Sequence, residues 1–274
     1  MSSPARAYSL SYLTARSLTP PQAVSVAAQT GYSHVGLRLR ASVPGGAFQD
    51  LIHDPTLLRQ TLACLRGTGV GVFDIEVIRI GEHFDAGSCL PLLEAGAALQ
   101  ARGVLVVGDD TEPARLAQSF ARLCEIAQPL HLTVDLEYLP WTALRDANSA
   151  LAILDAAGRP ANAGVLVDAL HTARSTTTLA DIAALPRDCL HYAQICDGPG
   201  SGSFTREEMV HTAVAERLLP GEGSIDLPAL FGALPHDLPG SVEIPHHVRM
   251  PQLGAREWAR QALVATRAVL ERQR

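Results

Sequence analysis

The strongest constraint in this sequence is a repeated change of hydrophobic period. Short β-branched or apolar runs alternate with longer segments whose apolar residues recur at helical spacing. That alternation predicts a parallel α/β fold. Strands are expected over residues 7–13, 33–39, 70–77, 104–107, 130–137, 163–168, 190–196 and 240–244. Eight strands can close a barrel, and 274 residues fit one barrel better than two ordinary domains, since such barrels run to about 250 residues. The expected fold class is α/β, a single (β/α)8 TIM barrel over residues 1–274. An open doubly wound sheet would give a similar string, but its G-x-G-x-x-G fingerprint after a first strand is absent.

Helix starts are marked at Thr19-Pro20 and Asp54-Pro55, where a capping side chain precedes a proline that needs no N–H partner. Gly31, Gly67, Gly103 and Gly158 lie near the expected helix ends. Further helices are expected over 88–102, 112–128, 142–157, 178–185, 205–217 and 255–272, the last amphipathic and closing the barrel. The glycine-rich segment 198–202 reads as a loop, because no Lys-Ser/Thr follows it.

Hydrophobic residues make up 47% of the chain and charged residues 18%, which suits a globular core, and no apolar run is long enough to cross a bilayer. A membrane partner is therefore not expected. Residues 1–13 lack the apolar run and small-residue cleavage site of a secretory signal, and the five cysteines are scattered singly with no CxxC pair. Free thiols in a cytoplasmic setting are the simplest expectation. A net charge of −6 without a basic run argues against a nucleic-acid partner. A homodimer is compatible with such a barrel.

In a (β/α)8 barrel, polar residues at the ends of otherwise apolar strands face the C-terminal mouth, where chemistry sits. Four consecutive strands supply them: Leu136-Glu137-Tyr138, Val167-Asp168-Ala169, Ala193-Gln194-Ile195 and Val242-Glu243-Ile244. Alternation along a strand points Glu137, Asp168, Gln194 and Glu243 inward. Carboxylates gathered there would repel and be costly to desolvate unless a cation neutralised them. An all-oxygen set suits one hard divalent ion, Mn²⁺ or Mg²⁺ ahead of Co²⁺ or Zn²⁺. Within reach of the same mouth lie Glu76, His171, Asp197, Arg217, Glu222 and His247, suited to the hydrogen-bonding demands of a small carbohydrate-like substrate.

The chain resembles the xylose-isomerase-like TIM-barrel superfamily of sugar-phosphate isomerases and epimerases. The resemblance rests on Leu136-Glu137-Tyr138 with Pro140-Trp141, on the segments 166–171, 191–198 and 219–227, and on Ser241-Val242-Glu243-Ile244-Pro245. It implies a metal held by Glu137, Asp168, Gln194 and Glu243, the same four residues that alternation selects. Many members carry histidine where this chain has Gln194, which places it nearer the hydroxypyruvate-isomerase-like branch and makes zinc a weaker expectation. Endonuclease IV-like activity would need more imidazoles on these strands than the sequence supplies.

The expected chemistry is isomerisation or epimerisation of a small ketose, keto-polyol or sugar phosphate through a metal-stabilised enediolate, with Glu137 and Glu243 as the acid/base pair. A metal-dependent dehydratase of a cyclic keto-polyol such as an inosose or dehydroshikimate is the alternative. A sugar-binding barrel without catalysis is the third.

Overall fold

A computed structural model describes residues 6–200 and 202–271. Ser201 of the glycine-rich segment and Arg272 of the last expected helix lie outside the described residues. Strands β1 (Tyr8–Leu10), β2 (His34–Arg38), β3 (Gly71–Ile80), β4 (Gly103–Gly108), β5 (Thr133–Glu137), β6 (Ala163–Asp168), β7 (Ala193–Ile195) and β8 (Gly240–Val242) pair in parallel in chain order. β1 pairs with β8, with Ser9 opposite Ser241, and the sheet closes on itself. Closure excludes the open doubly wound sheet.

Around the barrel run α1 (Pro20–Thr30), α2 (Pro55–Thr68), α3 (Leu90–Ala98), α4 (Pro113–Ala127), α5 (Ala147–Ala156), α6 (Ala169–Ala173), α7 (Leu179–Ala184), α8 (Arg206–Ala215), α9 (Leu227–Ala233), α10 (Arg249–Leu253) and α11 (Ala255–Leu270). Asp54 caps α2 by accepting from the N–H groups of Thr56 and Leu57, both at 2.9 Å, with Pro55 in the first turn where its missing N–H costs nothing. The helix ends at Gly69, not at Gly67. Gly69 takes φ of 73°, a left-handed conformation that only glycine adopts freely, and its N–H closes onto the Leu65 carbonyl. Gly103 is likewise no helix terminus: it opens β4.

The helices press Val24, Leu92, Phe120, Leu154, Trp258 and Leu263 against the outward residues of the strands, and this layer forms the main core. Trp258 is fully buried and spends its indole N–H on the Ile244 carbonyl at 2.9 Å, fixing α11 to the chain leaving β8. Inside the barrel a smaller apolar cluster of Phe73, Val77, Leu105, Val107, Leu139, Leu166 and Tyr192 fills the axis.

Toward the strand starts the axis is polar. Asp135 on β5 meets the Nδ1 of His191 at 2.6 Å, directly over Gly164, where a Cβ would fall 2.4 Å from the Asp135 carboxylate. Burial alone would lower the His191 pKa, but the hydrogen bond and charge of Asp135 more than offset it and raise the value. Glycine at 164 therefore leaves the room this cross-barrel pair needs. No described helix is long and apolar enough to cross a membrane.

Candidate active site

Glu137 and Asp168 are the last residues of β5 and β6, Gln194 is the middle residue of β7, and Glu243 follows the end of β8. Their neighbours Leu136, Tyr138, Val167, Ala169, Ile195 and Val242 are buried apolar residues, so the pleat leaves the polar side chains facing the barrel mouth. All four are buried, with Glu137 the most exposed at 6%.

A network ties them together. Gln194 donates its Nε2 to Glu243 Oε1 at 3.0 Å, and the Ser11 hydroxyl donates to the same oxygen at 2.8 Å. Arg217 reaches in from the segment after α8, where isolated bridges pair Glu216 with His246 and Leu218 with Asp197. Its Nη1 lies 2.5 Å from Asp168 Oδ2 and its Nη2 lies 2.9 Å from Glu243 Oε2. Asp168 also caps α6, accepting from the His171 N–H at 2.9 Å. That cap turns the His171 ring back over the strand end, with Nε2 at 3.7 Å from Glu137 Oε1 and 3.9 Å from Asp168 Oδ1.

These contacts set the charge states. Burial raises Glu137 well above the usual carboxylate range, and repulsion from Asp168 and Glu243 adds to it more than Arg217 takes away. Burial also lifts Glu243 to about 7, with Arg217 pulling the other way. Burial acts on Asp168 in the same direction, yet Arg217 and His171 together hold it below the ordinary aspartate value. The His171 imidazole is pushed down to about 4 by burial and is neutral at pH 7. Asp168 and Glu243 thus share the Arg217 guanidinium, while Glu137 and Glu243 hold their protons more tightly than ordinary carboxylates, protons that a bound divalent cation would displace.

Two observations test whether such an ion fits. Gln194 Oε1 is buried with no hydrogen-bond partner, a vacant acceptor beside the carboxylates. Glu137, Asp168 and His171 also each offer a ligand atom within 4.8 Å of the others, all buried. The residues present fit a divalent ion. The donor set is broader than the oxygen quartet expected from alternation, because the neutral imidazole of His171 belongs to the same cluster.

The mouth encloses a cavity of about 370 Å³ lined by Glu76, Glu137, His171, Arg217 and Glu243, with Leu105, Val107, Leu139 and Trp141 as its apolar wall. Other expected site residues are placed elsewhere. Asp197 is buried behind the mouth and accepts from the N–H groups of Gly198, Gly221 and Ile225, so it organises the 219–225 loop. Glu222 pairs with Arg249 at 2.5 Å, outside the cavity lining. His247 is exposed, donates its backbone N–H to the Ala215 carbonyl, and does not line the cavity.

Conversely, Trp141 stands edge-on to His171 with ring centroids 5.1 Å apart, and Arg16, Arg38 and Arg79 reach the cavity from the β1–β3 side. Sequence patterns assign none of these four a role at the site, although Pro140-Trp141 carries part of the family resemblance and Arg38 and Arg79 lie toward the ends of β2 and β3.

Among solved structures, the chain is similar to the IolI protein with a bound zinc atom, at 18% identity over 97% of this chain and 98% of that one, TM-score 0.77. It is similar to a D-allulose 3-epimerase from Methylomonas sp. in complex with D-allulose, at 16% identity over 98% and 99%, TM-score 0.70. A probable 3-DHS dehydratase, AsbF, from Bacillus anthracis aligns at 17% identity over 94% and 98%, TM-score 0.74. At these identities the likeness establishes the shared fold. By sequence, no curated protein matches the chain. The xylose isomerase-like TIM barrel family model matches residues 88–268, from the turn before α3 into α11 and across every strand end that carries the cluster. The chain belongs to the xylose isomerase-like TIM barrel family.

Proposed function

We propose that this protein is a divalent-metal-dependent isomerase or epimerase of a small ketose, keto-polyol or sugar phosphate. The observation that carries the reading is the pair Glu137 and Glu243, set three strands apart on one cavity, with Asp168 and Gln194 between them. Glu137, Asp168, Gln194 and Glu243 would hold the ion, Mn²⁺ or Mg²⁺ by the preponderance of oxygen donors. The zinc named for IolI and the D-allulose named for the epimerase lend support to a metal and to a sugar-like substrate.

When bound, a divalent cation supplies Lewis-acid polarisation of a carbonyl and its neighbouring hydroxyl, which acidifies the adjacent C–H. The residues of the chain do the rest. Asp168, fixed by Arg217 and by the His171 N–H, stays ionised as the anchor. One of Glu137 and Glu243, as carboxylate, takes the proton from the α-carbon and the other, protonated, delivers its own proton to the substrate. Delivery to the neighbouring carbon, with the hydroxyl proton passing to the former carbonyl oxygen, isomerises the substrate, whereas delivery to the opposite face of the same carbon epimerises it. Neutral His171 presents Nε2 beside Glu137 Oε1 and can donate to or accept from a substrate oxygen there. Trp141, Leu105 and Val107 give the cavity an apolar wall.

A dehydratase acting on a cyclic keto-polyol needs the same α-proton abstraction, and the similarity to a probable 3-DHS dehydratase favours keeping it as the second reading. Incubating the Mn²⁺-loaded protein with a panel of ketoses and keto-polyols in D₂O separates the two. Deuterium uptake at the α-carbon without loss of water is the expected result. A new conjugated enone absorbance would select the dehydratase instead, and neither signal on any member would remove catalysis from the account.

A further inference from the structure

The cavity has two sides lined by unlike groups. The carboxylate cluster on β5–β8 occupies one. The β1–β3 side, which adjoins β8 in the closed barrel, contributes Arg16, Arg38 and Arg79 to the lining.

Arg16 follows the 3-10 turn Tyr12–Ala15 after β1, and its Nη1 donates to the Val214 carbonyl at 3.3 Å. Among the described residues no carboxylate lies within ion-pair distance of it, although it is partly buried. Burial lowers its pKa, with Tyr12 pulling the other way and the neighbouring Arg38 guanidinium adding to the lowering. Arg38, at the end of β2, pairs with Glu76 at 3.0 Å and lies over the Tyr12 ring at 4.5 Å, while its Nε is buried with no partner. Arg79 pairs with Asp109 at the rim and is half exposed. Glu76 and Asp109 are thus ion-paired with Arg38 and Arg79, whereas Arg16 has no such partner among the described residues.

Removing a guanidinium from water without an anion is unfavourable, and an unmet buried donor adds to the cost, so both features favour an anionic ligand on this side. Planar guanidinium groups suit carboxylate and phosphate oxygens in particular. The vacant Glu76 Oε1, also buried and without a partner, can accept a hydroxyl from the same ligand.

We propose that the β1–β3 side of the mouth is an anion subsite in which Arg16 and Arg38 bind a terminal carboxylate or phosphate group of the substrate. Resting on the reading of the site as a metal-dependent isomerase, this makes the substrate an anionic polyhydroxy carbonyl compound, with its hydroxycarbonyl on the β5–β8 side and its charge on the β1–β3 side.

Calorimetric titration of the full chain at low ionic strength with inorganic phosphate, pyruvate and neutral glycerol tests the subsite directly. Wild type is expected to bind at least one anion and not glycerol. Arg16→Gln and Arg38→Gln should each weaken that binding about tenfold or more, as expected for loss of a charge-assisted contact. The one side-chain hydrogen bond of Arg16 among the described residues goes to the Val214 carbonyl, so Arg16→Gln should keep the wild-type melting temperature and Mn²⁺ affinity. Preference for phosphate over pyruvate identifies a phosphate ester, and the reverse identifies a carboxylate. If wild type binds neither anion, or if Arg16→Gln binds both as tightly as wild type, the subsite does not exist. Anion binding by a protein that takes up no Mn²⁺ and exchanges no α-proton would overturn the isomerase reading and leave the subsite standing, whereas the opposite pattern overturns the subsite alone.

Discussion

Glu137→Gln and Glu243→Gln are each expected to lower the rate of α-proton exchange with solvent by about a hundredfold to ten-thousandfold, the range typical of a positioned acid or base. Glutamine preserves the volume and keeps one oxygen for a cation, so at saturating Mn²⁺ the loss should appear in kcat rather than in metal occupancy. The double variant should fall little below the worse single variant, because removing either member of an acid/base pair interrupts the same proton path. An exchange rate within threefold of wild type in either single variant would show that its carboxylate does not carry the proton. A barrel that only binds sugars gives a different pattern, with no turnover in wild type and ligand affinity retained in both variants.

The second large effect concerns Arg217. It is buried among Asp168, Glu243 and the Ala213 carbonyl, and it is the only guanidinium in direct contact with the carboxylate cluster among the described residues. Truncating one partner of a buried ion pair costs about 3–5 kcal/mol, since it leaves uncompensated charge in a medium that solvates it poorly. Arg217→Met should therefore lower the melting temperature of the EDTA-treated protein by on the order of 10 °C. The variant site carries more unbalanced negative charge, so Mn²⁺ should raise its melting temperature by more than it raises that of wild type. Equal shifts in the two proteins, or a variant that melts within 2 °C of wild type without metal, would mean that the guanidinium and the ion do not share the same carboxylates.

Much of this arrangement is legible from the residues because two simple rules act together on the strands. Period-two alternation places Glu137, Asp168, Gln194 and Glu243 inward, and the parallel order of the barrel brings consecutive strand ends to one rim. The bounds of β6 agree with expectation at both ends. β5 begins later than expected, because Pro129 sits in a 3-10 turn and His131 takes a positive φ of 59° before the strand starts. β1 stops at Leu10, where Thr14 turns back to donate to the Val242 carbonyl and accept from the Ile244 N–H, each a contact with the other end of the chain. The helix expected from residue 142 begins at Ala147, after Asp146 caps it through the Ser149 N–H.

Loop residues escape such rules. Arg38 ends β2 and alternation alone could have pointed it inward, whereas Arg16 lies in the turn after β1 and meets the Val214 carbonyl of α8, a contact no local pattern encodes. For the same reason Asp197 and Glu222, near Gln194 and Arg217 in sequence, serve the 219–225 loop and Arg249, while His247 turns to solvent. The short helices α6, α9 and α10 have too few turns for a readable period, although Asp226 followed by Pro228 is a usable start signal for α9.

The central claim is that a single divalent ion sits among the β5–β8 side chains, and Mn²⁺ titration with elemental analysis of wild type and Asp168→Ala tests it most directly. Wild type should take up one ion per chain and Asp168→Ala none. Because Glu243 titrates at about 7 without the ion and metal binding must displace that proton, affinity should rise between pH 6 and pH 8. A wild-type protein that takes up no ion at either pH, or an Asp168→Ala variant that binds it as tightly as wild type, would contradict the account.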